Sequence, residues 1–296
     1  MDKRVGENMA LNSPSHRFGQ IIGDILEETI IDYLRPVADH YSLYLDFCHP
    51  RSARNGRKDV RWDDINGNTH KLDIVMEKNG DESRQGEPRV FIEIAWCRYT
   101  KHSKNKAQEI SGAIRPLIDK YNKFSPFFGA IVAGEFTQNS INQMKSEGFE
   151  VVYIPINVIV SAFNVAGIDA YWEENTPEHV IQEKVDAFAK LDKCETRRIM
   201  EKLVQLTHES FSRFMKKLCD SLERTIVSVR IVSIFGEENT FSNVPEACDF
   251  IVKYNEGSGK LDFLGFELYI RYSNGDKHDA KYADRSKAIA FLRSIS

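Results

Sequence analysis

Between His70 and Ile110 the chain reads HKLDIVMEKNGDESRQGEPRVFIEIAWCRYTKHSKNKAQEI: two apolar segments, a polar connection, then a lysine-rich segment opening a helix. Each apolar segment carries a carboxylate, Asp73 in the first and Glu93 in the middle of the second. An ionised group buried without a partner costs several kcal/mol. Two of them in strands joined by a short connection therefore point to a pair that holds a cation. Side chains alternate along a strand, so Glu93 and Ala95 share one face while Ile92 and Ile94 share the other. If the strands are neighbours, Asp73 faces Glu93. Two carboxylates, a backbone carbonyl and waters form a donor set for a hard cation such as Mg²⁺, with Mn²⁺ as a substitute. Such a cation polarises a phosphoryl oxygen and lowers the pKa of a bound water. The structural alternatives are a Glu93–arginine pair and an Asp73 at a strand edge.

The rest of the chain builds a frame around that stretch. A helix is expected over 17–34, where Ile21, Ile22, Ile25, Leu26, Ile30 and Leu34 recur near helical spacing. YSLYLDFC (41–48) alternates as a strand, and 51–70, rich in Arg, Gly and Asn, reads as a long loop without period. Its basic residues Arg51, Arg54, Arg57, Lys58 and Arg61 are candidates for contacts to a phosphate backbone. Strands follow over 71–77 and 89–96, then a helix over 103–121 whose stripe is Ala107, Ile110, Ile114, Leu117 and Tyr121. FFGAIVAG (127–134) and VVYIP (151–155) are buried strands separated by a surface helix, which implies parallel crossovers and a sheet covered by helices. The order is αβββαβαβ.

Beyond Pro155, INVIVSAF reads as a helix, and Thr176-Pro177-Glu178 marks a helix start with Thr176 as its cap. A longer amphipathic helix is expected over 195–224. From Thr225 a small α+β unit follows, with an Asn274-Gly275 hairpin turn and a closing helix capped by Asp284. The aromatics Phe263, Phe266, Tyr269 and Tyr272 belong to its core. The expected division is a disordered arm over 1–16, an α/β domain over 17–170, a helical connector over 171–224 and the small α+β domain over 225–296.

Five cysteines without a CxxC pair argue against a disulfide framework or a thiolate zinc site and favour a reducing cytoplasm. No apolar window is long enough to span a bilayer, and the N-terminal stretch lacks the apolar region of a secretory signal. The formal net charge of −4 means that any polyanion must be held by a local basic patch.

Asp73, the connection, and Glu93 in VFIEIAW resemble the PD-(D/E)XK nuclease superfamily, with its restriction-endonuclease-like fold. The order of elements over 17–155 is similar to that fold's αβββαβ core, a central mixed sheet flanked by helices. Two positions depart from the motif: Leu72 stands where proline is usual, and Ala95 stands where the lysine belongs. The resemblance implies that an amine comes from elsewhere. Lys101, Lys104 and Gln108 lie at the helix entry with spacings of three and four. Lys104 is the expected replacement, with Lys101 and Lys106 as alternatives. Gln108 resembles a helical glutamine of the superfamily, and Glu27 or Glu28 a first-helix acid. His70 and His102 are expected to stand aside.

The resemblance implies a metal-dependent endonuclease that hydrolyses DNA phosphodiester bonds, of the restriction or antiviral-defence kind. Asp73 and Glu93 would bind Mg²⁺, and Arg51, Arg54, Arg57, Lys58, Lys101 and Lys106 would contact double-stranded DNA. Cutting both strands favours a homodimer, and the C-terminal unit would bind a partner subunit or substrate. The alternative is an inactive nuclease fold serving as a DNA-binding or scaffold subunit of a defence complex.

Overall fold

The computed structural model describes residues 13–233, 237–257 and 263–295. Positions 1–12 of the expected arm lie outside the described residues. The chain forms two compact units, one of residues up to 119 together with 126–217, the other of 120–125 with those from 218 onward.

In the first unit, helix α1 spans Pro14–His40 and starts earlier than the apolar period indicated. Ser13 accepts the N–H of His16 at 3.3 Å, and Pro14 occupies the first turn, where its missing N–H leaves nothing unsatisfied. The helix buries Phe18, Ile22, Ile25, Leu26, Ile30 and Leu34. Strand β1 (Leu43–Asp46) follows. The stretch read as a long loop contains a hairpin, β2 (Val60–Asp63) with β3 (Thr69–Leu72), paired antiparallel. Val60 and Trp62 alternate inward there, and the Asn66-Gly67 dipeptide turns the chain. Four-residue strands beside many charges hid that alternation.

Strands β4 (Ile74–Lys78), β5 (Glu87–Cys97), β6 (Phe127–Gly134) and β7 (Glu150–Pro155) complete a mixed sheet in the order β1-β4-β5-β6-β7. The β1–β4 and β4–β5 pairs are antiparallel, and β5–β6 and β6–β7 are parallel. The parallel pairs need crossovers, supplied by α2 (Ser103–Tyr121) and α3 (Gln138–Ser146). Gly134 ends β6 at φ +94°, where a Cβ would sit 2.2 Å from the carbonyl oxygen of Cys97. That close approach lets the N–H of Glu135 donate to the same oxygen at 2.7 Å.

Helices α4 (Ile156–Phe163), α5 (Glu178–Ala189) and α6 (Lys193–Leu222) follow. Thr176 does not cap α5; its hydroxyl accepts the N–H of Glu173 at 2.8 Å instead. Up to residue 217 the expected connector packs within the first unit. Trp172 meets Phe18 with ring centroids 5.4 Å apart, Phe188 meets Phe163 at 6.1 Å, and Phe211 meets Tyr33 at 5.4 Å. Burying these rings, each carrying a large apolar area, is what makes this segment part of that unit.

The second unit holds an antiparallel sheet in the order β11-β10-β8-β9, with β8 Ile226–Ser233, β9 Glu238–Phe241, β10 Phe266–Tyr272 and β11 Lys277–Tyr282. Helices α7 (Val244–Lys253) and α8 (Arg285–Ile295) cover one face, burying Val229, Ile231, Phe266, Leu268, Ile270 and Leu292. Gly275 turns the β10–β11 hairpin at φ +91°, and Asp284 accepts the N–H of Lys287 at 2.8 Å as the cap of α8. Phe266 and Tyr272 are buried and Phe263 packs against them, whereas Tyr269 is only half-buried and donates its hydroxyl to Glu267 at 2.9 Å. Strand β9 is short and polar, so its sequence carried no period. Among the described residues no helix is long and apolar enough to cross a membrane.

Candidate active site

The segment expected as one strand over 71–77 breaks at Asp73, between β3 and β4. Ile74 pairs with Ile92 across β4 and β5, so one step further along Asp73 stands opposite Glu93. Residues directly opposite in an antiparallel pair project to the same face. The two are laced through the backbone. Asp73 Oδ2 accepts the N–H of Ile94 at 2.7 Å, and the N–H of Asp73 points at Glu93 Oε1 at 3.4 Å. Neither carboxylate forms an ion pair with a basic side chain among the described residues.

Electrostatics set this pair apart. Burial pushes the Asp73 carboxyl above the ordinary range, against the pull of the Ile94 N–H and of Lys106. Glu93 is pushed well above its ordinary value, first by burial and then by the neighbouring charge of Asp73. Glu27, half-buried on α1, is raised too, by burial and then by Asp73 and Asp24. Three acids thus share one negative field, which a cation would relieve. Among the described residues no three His, Cys, Asp or Glu side chains converge on one point. A metal would therefore take Asp73 and Glu93 directly, with carbonyl and water oxygens completing its shell and Glu27 acting on the field. This all-oxygen donor set fits Mg²⁺ or Mn²⁺. Glu28 is exposed on α1.

The amine whose charge acts on the pair is Lys106, as the smallest influence on each carboxyl. It is the cation that draws down both Asp73 and Glu93, and its Nζ also holds Glu109 at 2.7 Å. The expected Lys104 has no such part. Residues two apart on a helix are separated by about 200°, and α2 buries Ser103, Ala107, Ile110 and Ile114. Lys106 and Lys104 therefore flank the buried stripe on opposite sides. Gln108, four residues after Lys104, shares its flank and is exposed. Lys101 is paired with Glu174. Helical spacing defines a face, but only packing decides which flank's charge reaches the acids.

Arg51 and Arg54 are not available to DNA. Arg51 is 1% exposed; it donates to Glu77 at 2.6 and 3.0 Å and to Asp46 at 2.8 Å. It also donates to the carbonyls of Asp81 and Arg84 at 2.7 and 2.9 Å. Arg54 is buried against Asp46 and donates to the carbonyls of His49 and Lys58 at 2.6 and 3.1 Å. Two cations and two anions cancel, and backbone carbonyls take the remaining donors. Asp46 and Glu77 lie inside apolar strands, the same signal that singled out Asp73 and Glu93. Paired acids and paired-metal acids look alike in sequence. Arg57 and Lys58 are exposed, and Arg61 pairs with Asp59 at 3.0 Å. His70 hydrogen-bonds Asp64 at 2.8 Å, and His102 is exposed.

No family model matches the chain, and no curated protein matches it. It is similar to a crystal structure of a protein of unknown function, AF1548, at 11% identity, covering 65% of this chain and 99% of that one with a TM-score of 0.30. At that score the likeness carries no argument about fold or activity.

Proposed function

We propose that the first unit is a nuclease core of the PD-(D/E)XK, restriction-endonuclease-like kind, which hydrolyses DNA phosphodiester bonds with Mg²⁺ or Mn²⁺. The observation that carries this reading is the opposed Asp73–Glu93 pair, raised in pKa and without a cationic side chain bonded to it. The mixed sheet in which these acids meet supports it. A divalent cation held by the pair would polarise the phosphoryl oxygen and lower the pKa of a water. Asp73 and Glu93 would hold that cation, the Ile94 N–H would orient the Asp73 carboxylate, and Lys106 would steady charge developing on the phosphate. Ala95 is buried on the Glu93 face and carries no amine of its own, so the amine would come from another element, and Lys106 is the lysine whose charge reaches both carboxyls.

Arg57 and Lys58, exposed beside the hairpin, are the residues of the basic loop left to contact the DNA backbone. Action on double-stranded DNA would be served by a homodimer, with the second unit binding a partner or substrate. A role in restriction or antiviral defence rests on the family resemblance.

Purified chain is incubated with plasmid and Mg²⁺ or Mn²⁺ beside Asp73→Asn and Glu93→Gln. Cleavage by the parent that both isosteric variants lose is the expected outcome; cleavage that survives both refutes the site. The bond between Lys106 and Glu109 favours a second reading, a nuclease fold that binds DNA without cutting it. DNA binding with no cleavage in either cation would decide for that reading.

A further inference from the structure

Arg98 directly follows the last residue of β5, and its guanidinium stands among three rings. It lies 4.6 Å over Tyr171, 5.2 Å over Tyr99 and 5.2 Å over Trp172. Among the described residues it has no carboxylate or carbonyl partner. Its Nε is buried without an acceptor, and so is Nε1 of Trp172, a residue only 3% exposed. Arginine stays charged in proteins and carries five N–H donors. An aromatic cage strips water from that charge without neutralising it, so the guanidinium is left able to take an anion. Glu174, three residues after Tyr171, is engaged by Lys101, whose Nζ lies 5.4 Å over Tyr99.

The cage is open on one side, since Tyr171 is 43% exposed. An accessible ring beside a guanidinium with unused donors is the pairing that binds a nucleotide strand, ring to base and cation to phosphate. A base inside a duplex has both faces covered by its neighbours, so such a ring favours unpaired nucleotides. Arg98 lies five residues past Glu93 and one past the end of β5, or about 16 Å at the strand rise. That is a few nucleotides along one nucleic-acid strand.

We infer that Arg98, Tyr99 and Tyr171 form a subsite for an unpaired nucleic-acid strand, with a phosphate on the guanidinium and a base against Tyr171. Its role in placing the scissile bond rests on the proposed nuclease reading; the binding does not.

The test is fluorescence anisotropy of a labelled oligothymidylate with the full chain in chelator, where no cleavage occurs. The parent is expected to bind, and Arg98→Gln and Tyr171→Ala each to weaken binding on the order of tenfold. Tyr171→Phe, which keeps the ring, is expected to retain it. Tyr171 is exposed, so its alanine variant keeps the test valid if Arg98→Gln fails to fold. No binding by the parent, unchanged affinity in Tyr171→Ala, or equal displacement by a blunt duplex or by polyglutamate would overturn the subsite. A chain that binds through Arg98 and Tyr171 yet never cuts sinks the nuclease reading alone. One that cuts, and binds equally well as Tyr171→Ala, sinks the subsite alone.

Discussion

Arg51 meets Glu77 through two parallel hydrogen bonds of 2.6 and 3.0 Å, in a place closed to solvent on both sides. The same guanidinium holds the carbonyls of Asp81 and Arg84, and Glu77 Oε2 accepts the N–H of Gly86 at 2.6 Å. One ion pair thus organises the whole β4–β5 connection. Removing the cation leaves Glu77 buried without a cationic partner and Asp46 with Arg54 alone. Arg51→Met is expected to destabilise the chain by about 3–5 kcal/mol, read as a lower urea midpoint. A loss of DNA affinity at unchanged stability would show the arginine to be a phosphate contact after all.

Asp73 and Glu93 pull the other way. Their carboxyls titrate above the ordinary range when folded, so between that range and the raised values the folded state binds more protons than the unfolded one. Stability then falls as pH rises through that window and stays lower above it. Glu93→Gln, which keeps the acceptor for the Asp73 N–H, is expected to flatten the slope and to raise neutral-pH stability on the order of 1 kcal/mol. Thermal melts from mildly acidic to neutral pH measure both effects. A more stable variant that no longer cleaves would mark a site selected for chemistry over stability.

A divalent cation should reverse that penalty. At a concentration a hundred times its Kd a ligand stabilises the fold by about 2.7 kcal/mol. Mg²⁺ or Mn²⁺ is therefore expected to raise the Tm of the parent and to leave Asp73→Asn and Glu93→Gln where they were. An equal rise in all three would place the cation elsewhere.

Lys106 and Lys104 separate cleanly in a rate measurement. Losing one group that stabilises the developing charge typically lowers kcat by about 10²–10³-fold. Lys106→Ala is expected to show a loss of that size in plasmid cleavage, whereas Lys104→Ala stays near the parent rate. Glu109→Gln, which releases Lys106, is expected to cleave at least as fast as the parent. The reverse ranking of the two lysine variants would return the role to Lys104.

Asp64 ties the β2–β3 turn, accepting the N–H groups of Asn66 and Asn68 at 2.8 and 2.9 Å and meeting His70 at 2.8 Å. The His70 hydrogen bond, more than any other contact, holds its carboxyl well below the usual range. Its stabilisation is therefore present above the ordinary carboxylate pKa and is lost only as pH falls through the depressed value. Asp64→Ala is expected to speed amide exchange at Asn66 and Asn68 and, because β3 leads straight into Asp73, to weaken the response to Mg²⁺. Exchange unchanged from the parent would mean that the turn holds without it.

The periodic elements were legible in the chain itself. The 103–121 stripe, the FFGAIVAG strand and the Asn-Gly turn need only local rules, helical spacing, a short apolar run and a positive φ, and the structure has all three. The oddity of Asp73 and Glu93 was legible too, because a carboxylate in an apolar strand demands an explanation wherever it falls. What tertiary structure alone decided was which of these carboxylates an arginine neutralises. Asp46 and Glu77 carry the same local signature, yet Arg51 and Arg54 fold back from a loop to neutralise them, while Asp73 and Glu93 face each other with no arginine between. The same holds for which lysine's charge reaches the acids, Lys106, and for Trp172 and Phe211 joining the first unit. Local rules fix which way a side chain points from its own element, but the low-dielectric partner that sets its charge comes from residues distant in sequence, and packing alone brings them together.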